Sequence, residues 1–176
     1  MYKLFTRIIL NRISSTLEEQ QPKEQPGFRR GYSTTDNLFV INQLLERCRE
    51  YKTPIGLAFI DYEKAFGNVE VNAVLQALKD QGIYPKSVKL LQEANPNCTT
   101  DILLTPEITT SVPVEKGVKQ GDIISPKLLN ACLESTMRSV SLPGSINVDG
   151  ENLNHLGFAG EIVLIATATT DLQQMI

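Results

Sequence analysis

Histidine, cysteine and tryptophan are scarce in this chain, whose 176 residues include one histidine, three cysteines and no tryptophan. The three cysteines, Cys48, Cys98 and Cys132, lie far apart and form no CxxC pair, and His155 is the single histidine. A structural zinc site, which needs four closely placed Cys or His ligands, is therefore not expected. An odd number of distant cysteines also argues against a disulfide framework, so an intracellular location is expected.

Long hydrophobic runs are also missing. The longest are Ile55 to Ile60 and Ile162 to Ala166, far short of the ~20 residues that a membrane-spanning helix needs. Arg7 interrupts the apolar N-terminal stretch and spoils it as a signal peptide. No membrane partner is expected. With 41% hydrophobic and 21% charged residues, the chain is composed like one packed domain or the core of a larger one.

Charge is divided unevenly along the chain, although the net charge is only −3. Residues 1–52 hold nine Lys or Arg against six Asp or Glu, and residues 53–176 hold eight against fourteen. Two interpretations stay open. The division is either chance on a solvated surface, or it marks a basic part that meets phosphates and an acidic part that holds cations.

Hydrophobic periodicity predicts a first helix over 1–20 and a second, capped by Thr34, Thr35 or Asp36, that runs to residue 51. A third is predicted over 69–81 with Gly82 as its stop, a fourth over 85–94, and another begins at Ser125, which is expected to cap it. The side chains expected to face inward are Leu4, Ile8, Ile9, Ile13 and Leu17 in the first helix, Leu38, Ile41, Leu45 and Cys48 in the second, and Val74, Ala77 and Leu78 in the third. Short β-like pieces at 101–104 and 111–114 and a Pro- and Gly-rich loop at 21–34 complete an α+β pattern.

Two carboxylates stand where strands are predicted to end. The apolar run from Ile55 favours a strand buried on both faces, and it ends on Asp61. Runs 155–159 and 162–166 favour a hairpin with Gly160 and Glu161 at its tip. Either carboxylate alone fits a solvated strand end or turn. If the hairpin lies beside the first strand, both converge, and paired carboxylates suit Mg²⁺, which prefers oxygen ligands.

A third segment, 117–125, reads GVKQGDIIS. Gly117 and Gly121 free the backbone for close approach to a ligand, and Gln120 offers a side-chain amide. The Ser125–Pro126 helix start offers free N–H groups that favour anions. An ordinary glycine loop explains the same residues.

Taken in order, FIDYEKAF (59–66), GVKQGDIISPKLL (117–129) and HLGFAGEIVLIA (155–166) resemble the palm of reverse transcriptases of the non-LTR, LINE-type retrotransposons. The upstream QPGFRRGYSTTDNL (25–38) is similar to a finger segment of the same family. The resemblance implies a right-hand polymerase palm with partial fingers, its antiparallel sheet backed by helices. It implies fingers at 1–54 and palm at 55–176, with thumb and endonuclease absent. It further implies RNA-directed DNA polymerisation on an RNA template, with a DNA primer and deoxynucleoside triphosphates.

The resemblance also implies roles for individual residues. Asp61 and Glu161 would be the catalytic carboxylates that hold two Mg²⁺ ions. Phe66 would be the aromatic gate under the incoming sugar. The nucleotide and template pocket would be lined by Gln120 and Gly121, and Arg29 and Arg30 would meet the triphosphate or the template backbone, since arginine binds phosphate oxygens in a forked geometry.

Three glycines depart from the family's pattern. Gly160 and Glu161 replace the two aspartates of the F/Y-A-D-D box, Gly157 replaces a usual Arg or Lys, and Gly67 replaces an Asp. Because glycine has no side-chain ligand and Mg²⁺ demands near-ideal geometry, we expect polymerase activity to be lost or nearly lost. The alternatives are a non-catalytic palm remnant that binds RNA or a protein partner, and a decayed copy without selected function.

Overall fold

The computed structural model describes residues 2–94, 99–105, 108–113, 116–140 and 142–176. Within these ranges the helices are α1 (Tyr2–Gln20), α2 (Thr34–Glu50), α3 (Ala65–Asn68), α4 (Val71–Asp80), α5 (Pro85–Glu93), α6 (Ser125–Ser139) and α7 (Thr169–Met175). The strands are β1 (Gly56–Asp61), β2 (Thr99–Thr105), β3 (Ile108–Pro113), β4 (Ile146–Val148), β5 (Glu151–Leu153), β6 (His155–Phe158) and β7 (Glu161–Ala166). The α+β class is confirmed.

The chain forms two compact units, each built from two stretches of sequence. The first unit comprises residues 1–17 and 64–132, and the second comprises residues 18–63 and 133–176. This division follows spatial contacts, whereas the division into fingers (1–54) and palm (55–176) is by function and stays a prediction.

A helical core fills the first unit. Ile9, Ile13 and Leu17 of α1 are buried there, and their spacing of four residues places them on one narrow stripe of the helix. The wider stripe predicted from the sequence is wrong in part, because Leu4 and Ile8 are exposed. The stripe that the core covers is narrower than the apolar pattern.

Helices α4, α5 and α6 also contribute to this core. Val74, Ala77 and Leu78 are buried as predicted, although α4 begins at Val71 rather than at residue 69. Gly82, with φ of 78°, follows the helix end, which agrees with the predicted glycine stop. Helix α3 is absent from the sequence prediction, because an element of only four residues has no periodicity to read.

Helix α6 begins one residue earlier than its predicted cap implies. Ser125 is itself helical, and its hydroxyl donates to the Lys119 carbonyl at 2.7 Å. The prediction that Ser125 caps this helix is therefore wrong. The hydroxyl instead ties the helix start to the loop that precedes it.

An antiparallel sheet with the order β1-β7-β6 is the centre of the second unit. Strand β1 lies at an edge of this sheet, so one side of it has no strand partner among the described residues. The prediction of a strand buried on both faces is wrong, because Phe59 is 74% exposed. A continuous apolar run does not say whether its strand is central or at the edge.

Helices cover both faces of that sheet. One face packs Ile162 and Leu164 against Met175 of α7. The other face packs Leu156 and Ile165 against Ile41 and Leu44 of α2. The inward stripe of α2 is therefore Ile41, Leu44 and Cys48, whereas the predicted members Leu38 and Leu45 are exposed.

Local capping fixes where α2 begins. Ser33 is its N-cap, and a capping box joins Ser33 to Asp36. The Ser33 hydroxyl accepts from Thr35 N at 3.2 Å, and the Asp36 carboxylate accepts from Ser33 N at 2.7 Å. The cap predicted at residues 34–36 is one residue or more too late, because Asp36 plays the second part in the box.

Two small hairpins complete the described structure. Strands β2 and β3 pair where the β-like pieces were predicted, with Val114 outside the described residues. Strands β4 and β5 are joined through Asp149 and Gly150, whose φ values are 52° and 93°. Both φ values are positive, as a tight hairpin turn at an Asp-Gly pair requires. No helix in the described ranges is long and apolar enough to cross a membrane.

Candidate active site

Asp61 and Glu161 face each other across the paired strands β1 and β7, at the end of the ladder. Directly opposed residues of an antiparallel pair project their side chains to the same sheet face, with Cα atoms about 4.5–5.5 Å apart. Just beyond this pair, Tyr62 N donates to the Gly160 carbonyl at 3.0 Å. Two carboxylates that are a hundred positions apart in sequence thus lie opposite each other, as the sequence predicts.

The turn of the β6–β7 hairpin lies one residue earlier than predicted. Phe158 ends β6 and pairs with Glu161, which begins β7, so the turn residues are Ala159 and Gly160. Ala159 has a φ of 56°, in the left-handed region. The prediction that Glu161 lies at the hairpin tip is wrong, and its place in the strand ladder is what sets it opposite Asp61.

A cleft of about 360 Å³ opens beside the carboxylate pair. Asp61 and Glu161 both line it, and Asn37 and Thr34 of α2 add polar groups. The remaining lining residues are apolar: Leu38, Ile41, Phe59, Ile60, Leu156, Phe158, Ile162 and Val163. The cleft therefore combines two carboxylates with a largely apolar wall, the usual composition of a ligand site.

Two carboxylates are few protein ligands for a centre that holds metal ions. Across the parts of the chain that the structure describes, no three His, Cys, Asp or Glu side chains are grouped so as to hold one. Gly160 offers no side chain, and its carbonyl already accepts from Tyr62 N. A two-ion centre, in which each ion needs about six oxygen ligands, does not fit the residues present.

The first unit holds another group of predicted site residues. Phe66 lies on α3, and its carbonyl accepts from Val118 N at 2.8 Å, while Gly117 N donates to the Val69 carbonyl at 2.8 Å. These two bonds fasten the start of the 117–125 loop to the helix that carries Phe66. Gln120 and Gly121, which is left-handed with φ of 83°, are exposed in the same loop.

Helix α1 anchors the far side of this loop. The Asp122 Oδ1 atom accepts from the Thr6 hydroxyl at 2.8 Å and from Ile123 N at 2.7 Å, and the Thr6 and Asp122 side chains are both buried. Asp122 Oδ2 has no hydrogen-bond partner in the described structure. The Lys119 ammonium lies 4.7 Å from the centre of the Tyr2 ring, within the range of a cation–π contact. Sequence reasoning missed Thr6 and Asp122, whose pairing links positions 116 residues apart.

Arg29 and Arg30 lie in the second unit, in the turn between Pro26 and Tyr32. The Arg29 guanidinium lies 5.0 Å from the centre of the Tyr32 ring, and Arg30 is exposed. Stacking on tyrosine orients the planar cation of Arg29 while leaving its edge N–H groups available. The carboxylate pair and the two arginines thus belong to one unit, and Phe66, Gln120 and Gly121 belong to the other.

Burial shifts two titratable groups. Burial lowers the pKa of His155 below its usual range, and the nearby carboxylates Glu24 and Glu134 oppose that shift in part. Burial raises the pKa of the Cys132 thiol. The lone histidine therefore favours the neutral form, in which its Nδ1 lies 2.8 Å from Asn154 Oδ1.

A hairpin turn set beside a carboxylate on the neighbouring antiparallel strand, in a sheet packed against helices, is the arrangement expected for the palm of a polymerase of the right-hand class. The chain belongs to the family described as reverse transcriptase (RNA-dependent DNA polymerase), whose model matches residues 1–176.

Its relatives are proteins of mobile elements. The chain is 29% identical over 168 residues to the retrovirus-related Pol polyprotein of the type-1 retrotransposable element R2 of Popillia japonica, covering 94% of this chain and 23% of that protein. It is 26% identical over 178 residues to the uncharacterized 149 kDa protein of transposon TX1 of Xenopus laevis, covering 98% and 14%. The chain thus spans less than a quarter of the length of these relatives.

Among solved structures, apo telomerase from Candida tropicalis, truncated from its C-terminal domain, matches with a TM-score of 0.63. The match covers 96% of this chain and 35% of that one at 10% sequence identity. This likeness supports the right-hand polymerase fold.

Proposed function

We propose that this chain is an RNA-directed DNA polymerase domain of the non-LTR retrotransposon type whose polymerisation centre is incomplete, so that nucleotidyl transfer is lost or nearly lost. The family implies a nucleic acid template, nucleotide substrates and divalent metal ions. The observation that carries the proposal is the turn itself, where Gly160 contributes only backbone atoms beside Asp61 and Glu161.

The chemistry of the missing ligand supports this proposal. Divalent ions in polymerases stabilise the attacking and leaving oxygens of phosphoryl transfer, and among the described residues Asp61 and Glu161 are the pair available to hold them. Loss of one ligand removes several kcal/mol of transition-state stabilisation, which corresponds to a rate reduction of roughly a thousandfold or more. The fold is not affected in the same way, because glycine is well tolerated in a hairpin turn.

Primer extension on an RNA template, with deoxynucleotides and either Mg²⁺ or Mn²⁺, tests this proposal. The unmodified chain is compared with the double variant Gly160→Asp with Glu161→Asp, which rebuilds the family's box. Gly160→Asn is the matched control, since it adds a side chain of the same shape without a carboxylate. We expect single-nucleotide addition roughly a thousandfold faster in the double variant than in the control.

Two results would contradict the proposal. Robust incorporation by the unmodified chain would show that Gly160 does not limit the reaction. A double variant as inactive as Gly160→Asn, and with no gain of Mn²⁺ binding by calorimetry, would show that the missing carboxylate is not the reason for inactivity.

RNA binding without catalysis is the second candidate, and the arginine turn favours it. Arg29 is stacked on Tyr32 and Arg30 is exposed, an arrangement suited to phosphate oxygens. This candidate predicts salt-sensitive RNA binding that Arg29→Ala and Arg30→Ala weaken and Asp61→Asn leaves unchanged. Removal of one arginine that binds a phosphate should flatten the slope of log affinity against log salt by about 0.7 for single strands.

A charge-matched control separates this candidate from a general charge effect. Arg49 is exposed on α2 in the same unit, so Arg49→Ala removes an equal charge away from the turn. Equal weakening of RNA binding by Arg49→Ala and Arg30→Ala would contradict a specific role for the arginine turn.

A further inference from the structure

Gln25 holds the turn of the β6–β7 hairpin through both ends of its side-chain amide. Its Oε1 atom accepts from Ala159 N at 2.9 Å, and its Nε2 atom donates to the Ala159 carbonyl at 3.2 Å. This reciprocal pair of bonds matches the exchange that two strand residues make in an antiparallel ladder. Gln25 is 4% exposed, so the interaction is shielded from water.

The turn residue that Gln25 holds has an unusual backbone conformation. Ala159 has φ of 56°, and a left-handed conformation is unfavourable for a residue with a Cβ atom unless the surroundings fix it. The two bonds from Gln25 occupy the N–H and the carbonyl of this residue. Gln25 therefore fixes the backbone immediately before Gly160 and Glu161.

The backbone segment that carries Gln25 packs closely against the turn. The Gln21 amide donates to the carbonyls of Gln25 and Gly27, the latter at 3.0 Å. A Cβ atom on Gly27 would lie 2.4 Å from Ala159 N, closer than real Cβ atoms approach. The backbone of this segment therefore lies directly against the hairpin turn, and glycine at position 27 permits it.

Gly157, just before the turn, provides the space for the Gln25 side chain. A Cβ atom there would lie 2.6 Å from Gln25 Nε2 and 3.0 Å from Gln25 Cδ. The Gly157 backbone is also tied down, because its N–H donates to the Glu24 carbonyl at 2.6 Å and its carbonyl accepts from the Asn37 amide at 2.9 Å. A side chain at position 157 would thus overlap with the amide of Gln25, so both cannot occupy this space.

From these contacts we infer that Gln25 is a positioning residue for the reaction centre: it sets the backbone that presents Gly160 and Glu161 to Asp61, and Gly157 is the space it requires. The positioning role rests on the proposed function, whereas the hold on the turn does not. The sequence includes Gln25 only as the first residue of the finger-like segment 25–38 and carries no signal of a partner 134 residues away.

A double-mutant cycle tests the competition for space. Gly157→Ala should raise the unfolding equilibrium constant about tenfold or more in the unmodified chain, because the buried amide must move. With Gln25→Ala also present, Gly157→Ala should change that constant less than about threefold. Equal effects of Gly157→Ala in both backgrounds would overturn the inference.

A local measurement keeps the test informative if Gln25→Ala unfolds the chain. Gln25→Glu retains an acceptor for Ala159 N but removes the donor to the Ala159 carbonyl. Hydrogen exchange by NMR should show the Ala159 amide exchanging at least about tenfold faster in Gln25→Ala, and its shift should change in Gln25→Glu, while the Leu164 amide in the middle of β7 is unaffected. An unchanged Ala159 amide in Gln25→Glu, or in Gln25→Ala where that variant folds, would overturn the inference.

Metal binding separates positioning from simple support of the fold. In the chain carrying Gly160→Asp and Glu161→Asp, Gln25→Ala should weaken Mn²⁺ binding about tenfold, and Gln43→Ala, which removes an exposed amide from α2, should not. Unchanged Mn²⁺ affinity would overturn the positioning role. If the rebuilt chain binds no Mn²⁺ at all, the proposed function fails, and the cycle and the Ala159 amide still decide whether Gln25 holds the turn.

Discussion

Gly117 is the position at which one added methyl group should do most damage to the first unit. Its φ is 90°, and a Cβ atom would lie 2.9 Å from the carbonyl oxygens of Phe66 and Gly67 and 3.0 Å from Gly67 Cα. These are backbone atoms of α3, which cannot rotate away as a side chain would. Gly121 is left-handed in the same way, with φ of 83°, but a Cβ atom there meets nothing within 4 Å.

The pair of glycines separates two contributions to stability. Gly121→Ala should reduce the free energy of unfolding by about 1–2 kcal/mol, the amount by which a left-handed conformation disfavours alanine. Gly117→Ala should lose that amount and a further ~1–3 kcal/mol for the backbone overlap. The difference between the variants therefore measures the overlap alone.

Hydrogen exchange of the Leu78 amide in α4 is a suitable assay, because Leu78 is fully buried in the core of the same unit and reports its opening free energy. Equal losses for Gly117→Ala and Gly121→Ala would refute the reasoning, because they would mean that α3 yields freely to the added atom.

Three further outcomes are expected. Thr6→Val should lower the free energy of unfolding by about 1–3 kcal/mol, because buried Asp122 loses a hydroxyl donor; a change under ~0.5 kcal/mol by urea unfolding would contradict this. Burial lowers the pKa of His155 in the folded state, so the unfolded state binds the proton more readily. The contribution of neutral His155 to stability is therefore full above about pH 6.5 and is lost as pH falls through the folded-state pKa. Urea unfolding midpoints measured at about pH 7.5 and 5.5 should decline less in His155→Gln than in the unmodified chain. Asp61→Asn should raise stability by a few tenths of a kcal/mol, because it removes the like-charge pair with Glu161; the gain should shrink in about 1 M salt, and a loss of stability would contradict it.

The sequence was most informative where chemistry and periodicity agreed. The convergence of Asp61 and Glu161 was predicted correctly, because neighbouring strands bring strand ends together, but Glu161 lies in the strand ladder and not at the hairpin tip where it was expected. The exposure of Phe59 could not be predicted, because strand order in the sheet decides it and no local pattern records strand order. The roles of Gln25, Thr6 and Asp122 depend on single long-range hydrogen bonds, which leave no periodic signal.

The glycines that depart from the family's pattern are not equivalent, and the structure separates them. A Cβ atom on Gly67 meets nothing within 4 Å, so an aspartate there finds open space. At Gly157 a Cβ atom meets the amide of Gln25 at 2.6 Å, so the family's basic residue requires that amide to leave the turn. A basic residue restored at position 157 therefore releases the turn that carries positions 160 and 161. Gly157 and Gln25 thus form one packing arrangement, whereas under the proposed function Gly160 is the departure that removes a metal ligand.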